Sequence, residues 1–347
     1  MTCNKGSAVA ARLCPVVVCV VCAVVLLLPL TACAAEFTTT AKAACVMERN
    51  SGRVLFCKNA DMRLPMASTT KIATALTVLR HVDDIDRVIT IAPEACGIEG
   101  SSVYLKPDEK LTVRDLLYGL MLRSGNDCAV QLALFVSGSV DGFVELMNET
   151  ARSLGCADTH FVTPHGLHDA EHFTTARELA TIACAALDNP TFAEIVATCV
   201  YRCSGDSTRV FVNKNKLLSG YEYADGVKTG YTKAAGRCFV GSATRDGMKV
   251  VSVVLNCGPM FEECRAMCDV AFADYTMKQV VAHGKMCGSV VDKHGKRTFY
   301  CAKDGFAYPV KHGERITTQT ILDNERQLLE VCLDGKQIAV LPLSAVK

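Results

Sequence analysis

At 347 residues the chain is long enough for two domains and a large core. Half of its residues are hydrophobic and 21% are charged, which excludes a disordered chain and points to an ordered globular protein. The net charge is only +1 and no basic face stands out, which argues against a nucleic-acid partner.

The first 33 residues read as a targeting segment. Lys5 and Arg12 form a positive region, and Pro15 to Leu30 is almost wholly apolar but short for a membrane span, the competing reading. The segment closes with Leu30-Thr31-Ala32-Cys33, which resembles a bacterial lipobox whose cysteine is lipidated after cleavage. An ordinary signal-peptidase site is the alternative, because Ala32-Cys33-Ala34 has the small-x-small form. On either reading the body is exported, and removal of the first 32 residues takes away two positive charges, leaving a net charge of −1.

Of the 20 cysteines, 15 lie beyond Cys33. Export favours disulfides, yet 15 is odd and the body has no C-x-x-C. Most stand among apolar or small residues, as Cys128 and Cys238 do, and read as small hydrophobes. Cys199 with Cys203, and Cys264 with Cys268, are helix-spaced pairs and weak zinc candidates.

In chain order, Ala44 to Asn59 reads as a hairpin around Asn50-Ser51-Gly52. Ser68-Thr69-Thr70-Lys71 then opens an apolar helical run, followed by a short strand over Val88–Ile91 and a Gly/Ser segment from Gly97 to Ser102. Thr112, with Asp115 three residues on, caps a helix that ends at Arg123-Ser124-Gly125-Asn126. Helical patterns fill most of 127–154 and 175–200. Apolar strands return at Cys238–Ala243 and Val250–Leu255, joined by Asp246-Gly247, and an amphipathic helix covers 261–277. Strands at both ends of a helical insert predict an α+β fold, with an antiparallel sheet flanked by helices. From 279 to 347 short β-type runs alternate with turns at His283-Gly284, His294-Gly295, Asp304-Gly305, His312-Gly313 and Asp334-Gly335, the texture of a small all-β domain.

Chemistry is concentrated in three short elements. A serine one helical turn before a lysine, at a helix start, sets a nucleophile beside a proton acceptor without histidine. Alone that spacing is cheap, and Ser344-Ala345-Val346-Lys347 repeats it with no helix to follow. Ser68-Thr69-Thr70-Lys71 is distinguished by company: Ser124-Gly125-Asn126 at an interhelical loop and Lys228-Thr229-Gly230 at an edge strand. Together, in this order, they resemble the penicillin-recognising serine peptidase and β-lactamase superfamily. Arg63 to Lys71, Leu111 to Asp127, Pro164-His165-Gly166-Leu167 and Thr174 to Ala180 narrow the likeness to the low-molecular-mass D-alanyl-D-alanine carboxypeptidases. The resemblance covers roughly residues 38 to 277 and implies a catalytic domain over 36–277 followed by the β-rich domain.

The resemblance implies that Ser68 attacks the carbonyl between two D-alanines of a peptidoglycan stem pentapeptide, with β-lactams as covalent inhibitors. Lys71 is then the base, lowered in pKa by burial beside Lys228. Ser124 relays the proton to the leaving amine, and Asn126 holds the substrate amide and orients Lys71. Lys228 and Thr229 take the substrate carboxylate, and Gly230 lets substrate backbone pair with the strand. The oxyanion sits between the N–H groups of Ser68 and Tyr231. Lys214 matches a basic position near the site in relatives.

The family loop pattern implies no metal and no cofactor, so His160, His165, His168 and His172 are expected to hydrogen-bond within their loop rather than hold zinc. Two rival functions remain. A β-lactamase of class A would carry an E-x-x-L-N loop, which is absent, and Ser-Asp-Asn in place of Ser-Gly-Asn. A non-catalytic penicillin-binding lipoprotein has no need of an intact nucleophile, base and carboxylate anchor. The closing run Ile338–Leu343 is strand-like and too short for an amphipathic membrane helix, so membrane attachment is expected at the N-terminus.

Overall fold

A computed structural model describes residues 37–204, 209–291, 294–323 and 326–346. The targeting segment and Cys33 lie outside them. Thr39 onward forms one compact unit.

The chain enters through β1 (Ala43–Glu48), buried along its whole length, and returns through β2 (Val54–Lys58). The turn between them is held by Glu48, whose buried carboxylate accepts from the N–H groups of Asn50 and Ser51. A 3-10 turn, Ala67–Thr70, leads into α1 (Lys71–His81). Residues Lys71 to Val78 of that helix are all buried, which makes it a central helix wrapped on every side and not a surface one.

The insert continues through β3 (Val88–Thr90), β4 (Lys110–Thr112) and α2 (Val113–Tyr118). The expected Thr112–Asp115 capping box is present in both directions. One π-helical turn, Gly119–Arg123, then delivers the chain to Ser124. The expected helical stretches resolve into α3 (Asn126–Ser137), α4 (Val140–Ser153), α5 (Ala176–Leu187) and α6 (Pro190–Ala197). Ser139, Thr175 and Asn189 supply the side-chain caps of the last three.

Several short elements escaped the sequence pattern, among them the strand β4 and a ribbon of β5 (Val200–Arg202) with β6 (Val210–Val212). Helix α6 stops at Ala197, short of the expected residue 200, so Cys199 and Cys203 flank a strand and are not a helical pair. Cys199 is exposed and Cys203 buried.

A short helix, α7 (Leu217–Gly220), precedes β7 (Ala224–Thr232), β8 (Gly236–Arg245) and β9 (Met248–Leu255). The antiparallel sheet runs β2-β1-β9-β8-β7, so chain-distant strands pair at its centre and β7 is its edge. Helix α8 (Met260–Asp274) covers one face, where Phe261 meets Phe239 edge-on with ring centroids 4.9 Å apart. On the other face Cys45, Val240, Val251 and Val253 join the main core beneath α1 and α5. Residues 275–277, expected to end the last helix, instead begin β10 (Tyr275–Val281), because the apolar pattern changes to β-type alternation there.

The tail is all β: β10, β11 (Met286–Val291), β12 (Arg297–Ala302), β13 (Phe306–Lys311), β14 (Ile316–Leu322), β15 (Gln327–Leu333) and β16 (Lys336–Ala345). β10 pairs with β13, and the rest form a sheet in the order β11-β12-β16-β15-β14. Its core is small, centred on Val281, Ala302, Leu329, Val331 and Leu343. Ser344 lies in β16 opposite Cys301, so the second S-x-x-K match has no helix beneath it. Arg53 at the start of β2 reaches the tail, donating to the Pro309 carbonyl (2.7 Å), pairing with Glu314 and lying over the rings of Tyr275 and Tyr308.

Candidate active site

Three structural pieces converge on Ser68. The first is the 3-10 turn, which carries Ser68 half-buried, with the N-terminus of α1 directly behind it. Ala67 just before it has a left-handed backbone (φ +51°), an uncommon conformation for a residue with a Cβ, and strain of this kind gathers at functional sites. The hydroxyls of Thr69 and Thr70 fold back onto the Met66 and Ala67 carbonyls at 2.7 and 2.8 Å and pin the turn.

The second piece is the loop after the π-helical turn. Ser124, buried, also takes the left-handed conformation (φ +64°), which reverses the chain and starts α3 at Asn126. Asp127, fully buried, accepts from Ser102 Oγ and from the N–H groups of Val103 and Leu105, fixing the 101–105 segment against α3.

The third is the edge strand β7. Gly230 suits a close approach: a Cβ there would crowd the turn, 3.0 Å from the Met66 carbonyl and 3.1 Å from the Ser68 nitrogen. β7 thereby runs against the turn that holds Ser68.

Lys71 is the hub. Its Nζ lies 3.1 Å from Ser68 Oγ, 2.7 Å from Asn126 Oδ1 and 2.7 Å from the His165 carbonyl oxygen, with the side chain fully buried. An ammonium fills all three places with donors. After loss of one proton, the two carbonyl-type oxygens keep their N–H donors and the lone pair faces Ser68 Oγ. Burial first, then the neighbouring Lys228 charge, pushes the Lys71 pKa well below the ordinary lysine value. Asn126 is oriented for this role, since its Nδ2 donates to the Glu99 carbonyl at 2.6 Å and so turns Oδ1 toward Lys71.

Lys228 is also buried, and it donates to the Thr229 carbonyl at 3.0 Å. Burial, with a smaller contribution from Lys214, lowers its pKa to about 7. Lys214 itself donates to Ser101 Oγ at 3.2 Å on the opposite side of the cleft. Ser68, Ser124, Thr229, Gly230, Tyr231 and Lys214 all line one open cleft of about 910 Å³. Six of the expected site residues therefore line one cleft, and Lys71 and Asn126 lie buried behind Ser68, joined to it through the Lys71 ammonium.

Sequence reasoning missed the floor of the site. The Pro164-His165-Gly166-Leu167 run was visible, but its contribution is the His165 backbone carbonyl, which no side-chain pattern encodes. Gly166 (φ +84°) is packed so tightly that a Cβ would collide with the Ala67 carbonyl. Within the loop, His160 Nδ1 meets the Glu171 carbonyl at 2.6 Å. His172 bonds within the loop and also beyond it. Its Nδ1 accepts from the Val162 N–H at 3.0 Å, and its Nε2 stands 2.8 Å from Thr70 Oγ1, tying the loop to the nucleophile turn. That pattern requires a neutral ring, and burial lowers the His172 pKa to about 3.

Comparison with known proteins bears on the family and the fold. The family model for peptidase family S11, D-alanyl-D-alanine carboxypeptidase, matches residues 30–258. The chain is 35% identical over 274 residues to D-alanyl-D-alanine carboxypeptidase DacF of Bacillus subtilis, covering 76% of this chain and 70% of that protein. It is 38% identical over 236 residues to the D-alanyl-D-alanine carboxypeptidase of Streptomyces sp. strain K15, covering 63% and 81%. Among solved structures, penicillin binding protein 5 from Haemophilus influenzae superposes with a TM-score of 0.79 at 27% identity, covering 90% of this chain and 98% of that one. The chain belongs to the D-alanyl-D-alanine carboxypeptidases, serine hydrolases of the α+β DD-peptidase fold.

Proposed function

We propose that this chain removes the terminal D-alanine from peptidoglycan stem pentapeptides through an acyl-enzyme on Ser68. The observation that carries the reading is the buried Lys71 ammonium site, 3.1 Å from Ser68 Oγ and next to a second buried lysine. In the acylation step Lys71 accepts the Ser68 proton as Oγ attacks the carbonyl of the penultimate D-alanine. The Ser68 and Tyr231 N–H groups receive the oxyanion, a stabilisation worth about 3 kcal/mol per donor. The C–N bond then breaks, the proton passes by way of Ser124 to the leaving amine, and free D-alanine departs. Water hydrolyses the remaining ester with Lys71 again taking the proton. Lys228 and Thr229 hold the substrate carboxylate throughout, and Asn126 holds the substrate amide.

β-Lactams enter by the same acylation and stay as stable esters. What supports a peptidase over a class A β-lactamase is the group beside Lys71: the 160–175 loop offers it the His165 carbonyl, while Glu171 in that loop is exposed. The domain limits 36–277 and 279–347, export, and membrane attachment through a lipidated Cys33 belong to the same proposal.

The test is to incubate the purified protein with a pentapeptide ending in D-Ala-D-Ala and with a labelled penicillin. D-Alanine release with persistent covalent label supports the reading. Rapid penicillin turnover without D-alanine release makes it a β-lactamase. Neither activity leaves a binding module.

A further inference from the structure

The carboxypeptidase reading uses Lys228 for the substrate's terminal carboxylate, and that leaves other charges in the cleft unassigned. Lys214, Lys216 and Arg237 line it, opposed by one acid, Glu262, so the walls carry an excess of two positive charges. The whole chain is nearly neutral at +1, so this excess is local. None of the three cations forms an ion pair among the described residues.

Strand register says which part of a substrate Arg237 faces. A peptide pairing antiparallel to β7, with its carboxylate at Lys228–Thr229 and its scissile carbonyl at the Tyr231 N–H, runs upstream past Tyr231. Directly opposite Tyr231 on β8 stands Arg237. One of its five N–H groups is used, Nη1 donating to the Gly258 carbonyl at 3.1 Å, which holds the guanidinium in place with donors to spare. Lys216, exposed, lines the same cleft.

We infer that Arg237, with Lys216 adding to the positive charge of the cleft, reads carboxylates upstream of the scissile bond, so that the preferred substrate is a stem peptide whose second and third residues keep free acids. Two groups have this chemistry: the α-carboxylate of a γ-linked glutamate at position 2, and the side-chain carboxylate of a diaminopimelate at position 3. Amidation of either removes a negative charge without changing the backbone, so it separates them.

The inference rests on the carboxypeptidase reading, and the experiment distinguishes the two. With the full-length protein, D-alanine release is measured on three pentapeptides: both acids free, position 2 amidated, and position 3 amidated. The expected result is at least about a tenfold lower kcat/KM on one or both amidated peptides, expressed in KM and diminished by salt. Arg237→Gln and Lys216→Gln shrink that ratio to less than about threefold, an effect that a merely structural substitution does not produce. The position whose amidation costs more identifies the acid being read. Equal kcat/KM on all three peptides, or a ratio that survives both substitutions, overturns the inference while D-alanine release still supports the carboxypeptidase. Release from none of the peptides overturns both.

Discussion

The helical wall of the cleft buries Lys71 and the strand wall buries Lys228, at 0% and 1% exposure, yet the two surroundings differ in what they offer the ammonium. Lys71 meets three oxygens, one of them Ser68 Oγ. Lys228, among the described residues, donates to the carbonyl of its own neighbour in the strand. Burial lowers both pKa values, so burial alone does not divide the labour. The partners do. In the proposed reaction the neutral Lys71 takes the Ser68 proton, whereas Lys228 has hydrogen-bonding capacity for the carboxylate that comes with the substrate. Each charge also raises the cost of the other, which lets the emptier wall tune the fuller one.

The comparison breaks most severely at the nucleophile. Ser68→Ala is expected to abolish covalent penicillin labelling and lower D-alanine release by at least about 10³-fold, with an unchanged melting temperature. Ser344→Ala, on β16, leaves both activities intact. Labelling that persists in the Ser68 variant contradicts the assignment.

On the helical wall, Lys71→Arg keeps the charge and removes the accessible neutral form. Acylation by penicillin in stopped-flow measurements is expected to fall by about 10²–10⁴-fold, the usual worth of a general base.

On the strand wall, Lys228→Met separates two effects. Removing the carboxylate partner lowers kcat/KM for D-alanine release by about 10²-fold, mostly through KM. Removing a buried and poorly compensated charge stabilises the fold by roughly 2 kcal/mol in thermal or denaturant unfolding. The sign of the pH dependence follows. The folded Lys228 pKa of about 7 lies below the ordinary 10.5, so the unfolded chain binds more protons between these values. Stability is therefore expected to rise as pH rises from about 7 toward 10.5, and Lys228→Met flattens that slope. Catalysis moves the opposite way over the same range: kcat/KM gains an alkaline limb near 7 as the free site loses the Lys228 charge.

A smaller effect lies outside the cleft. Arg53→Ala removes a partly buried pair with Glu314 and two aromatic contacts, and is expected to cost about 1–2 kcal/mol with little change in kcat. A large loss of kcat would tie the β tail to the chemistry.

Much of this site was legible because its functional atoms are side-chain atoms in short runs. Ser68, Lys71, Ser124, Asn126, Lys228 and Thr229 announce themselves by residue type and local spacing, and each run sits at an element boundary that caps or breakers reveal. The capping box at Thr112 was equally plain, since both of its partners lie within one turn. What stayed hidden depends on backbone atoms or on contacts distant in sequence. The His165 and Glu99 carbonyls that set the positions of Lys71 and Asn126 have no residue-type signature, and the His172–Thr70 link spans two separate segments. The ribbon β5–β6 was missed because three-residue strands give too few positions for alternation to register. Arg237 enters the cleft only through its register opposite Tyr231 across the β7–β8 hairpin.

The coupling between the two lysines is the centre of this account, and the pH dependence of penicillin acylation in the unaltered protein and in Lys228→Met tests it most directly. Loss of the Lys228 charge is predicted to raise the Lys71 pKa, so the acid limb of the acylation rate moves to higher pH. An acid limb at the same pH in both proteins would contradict it.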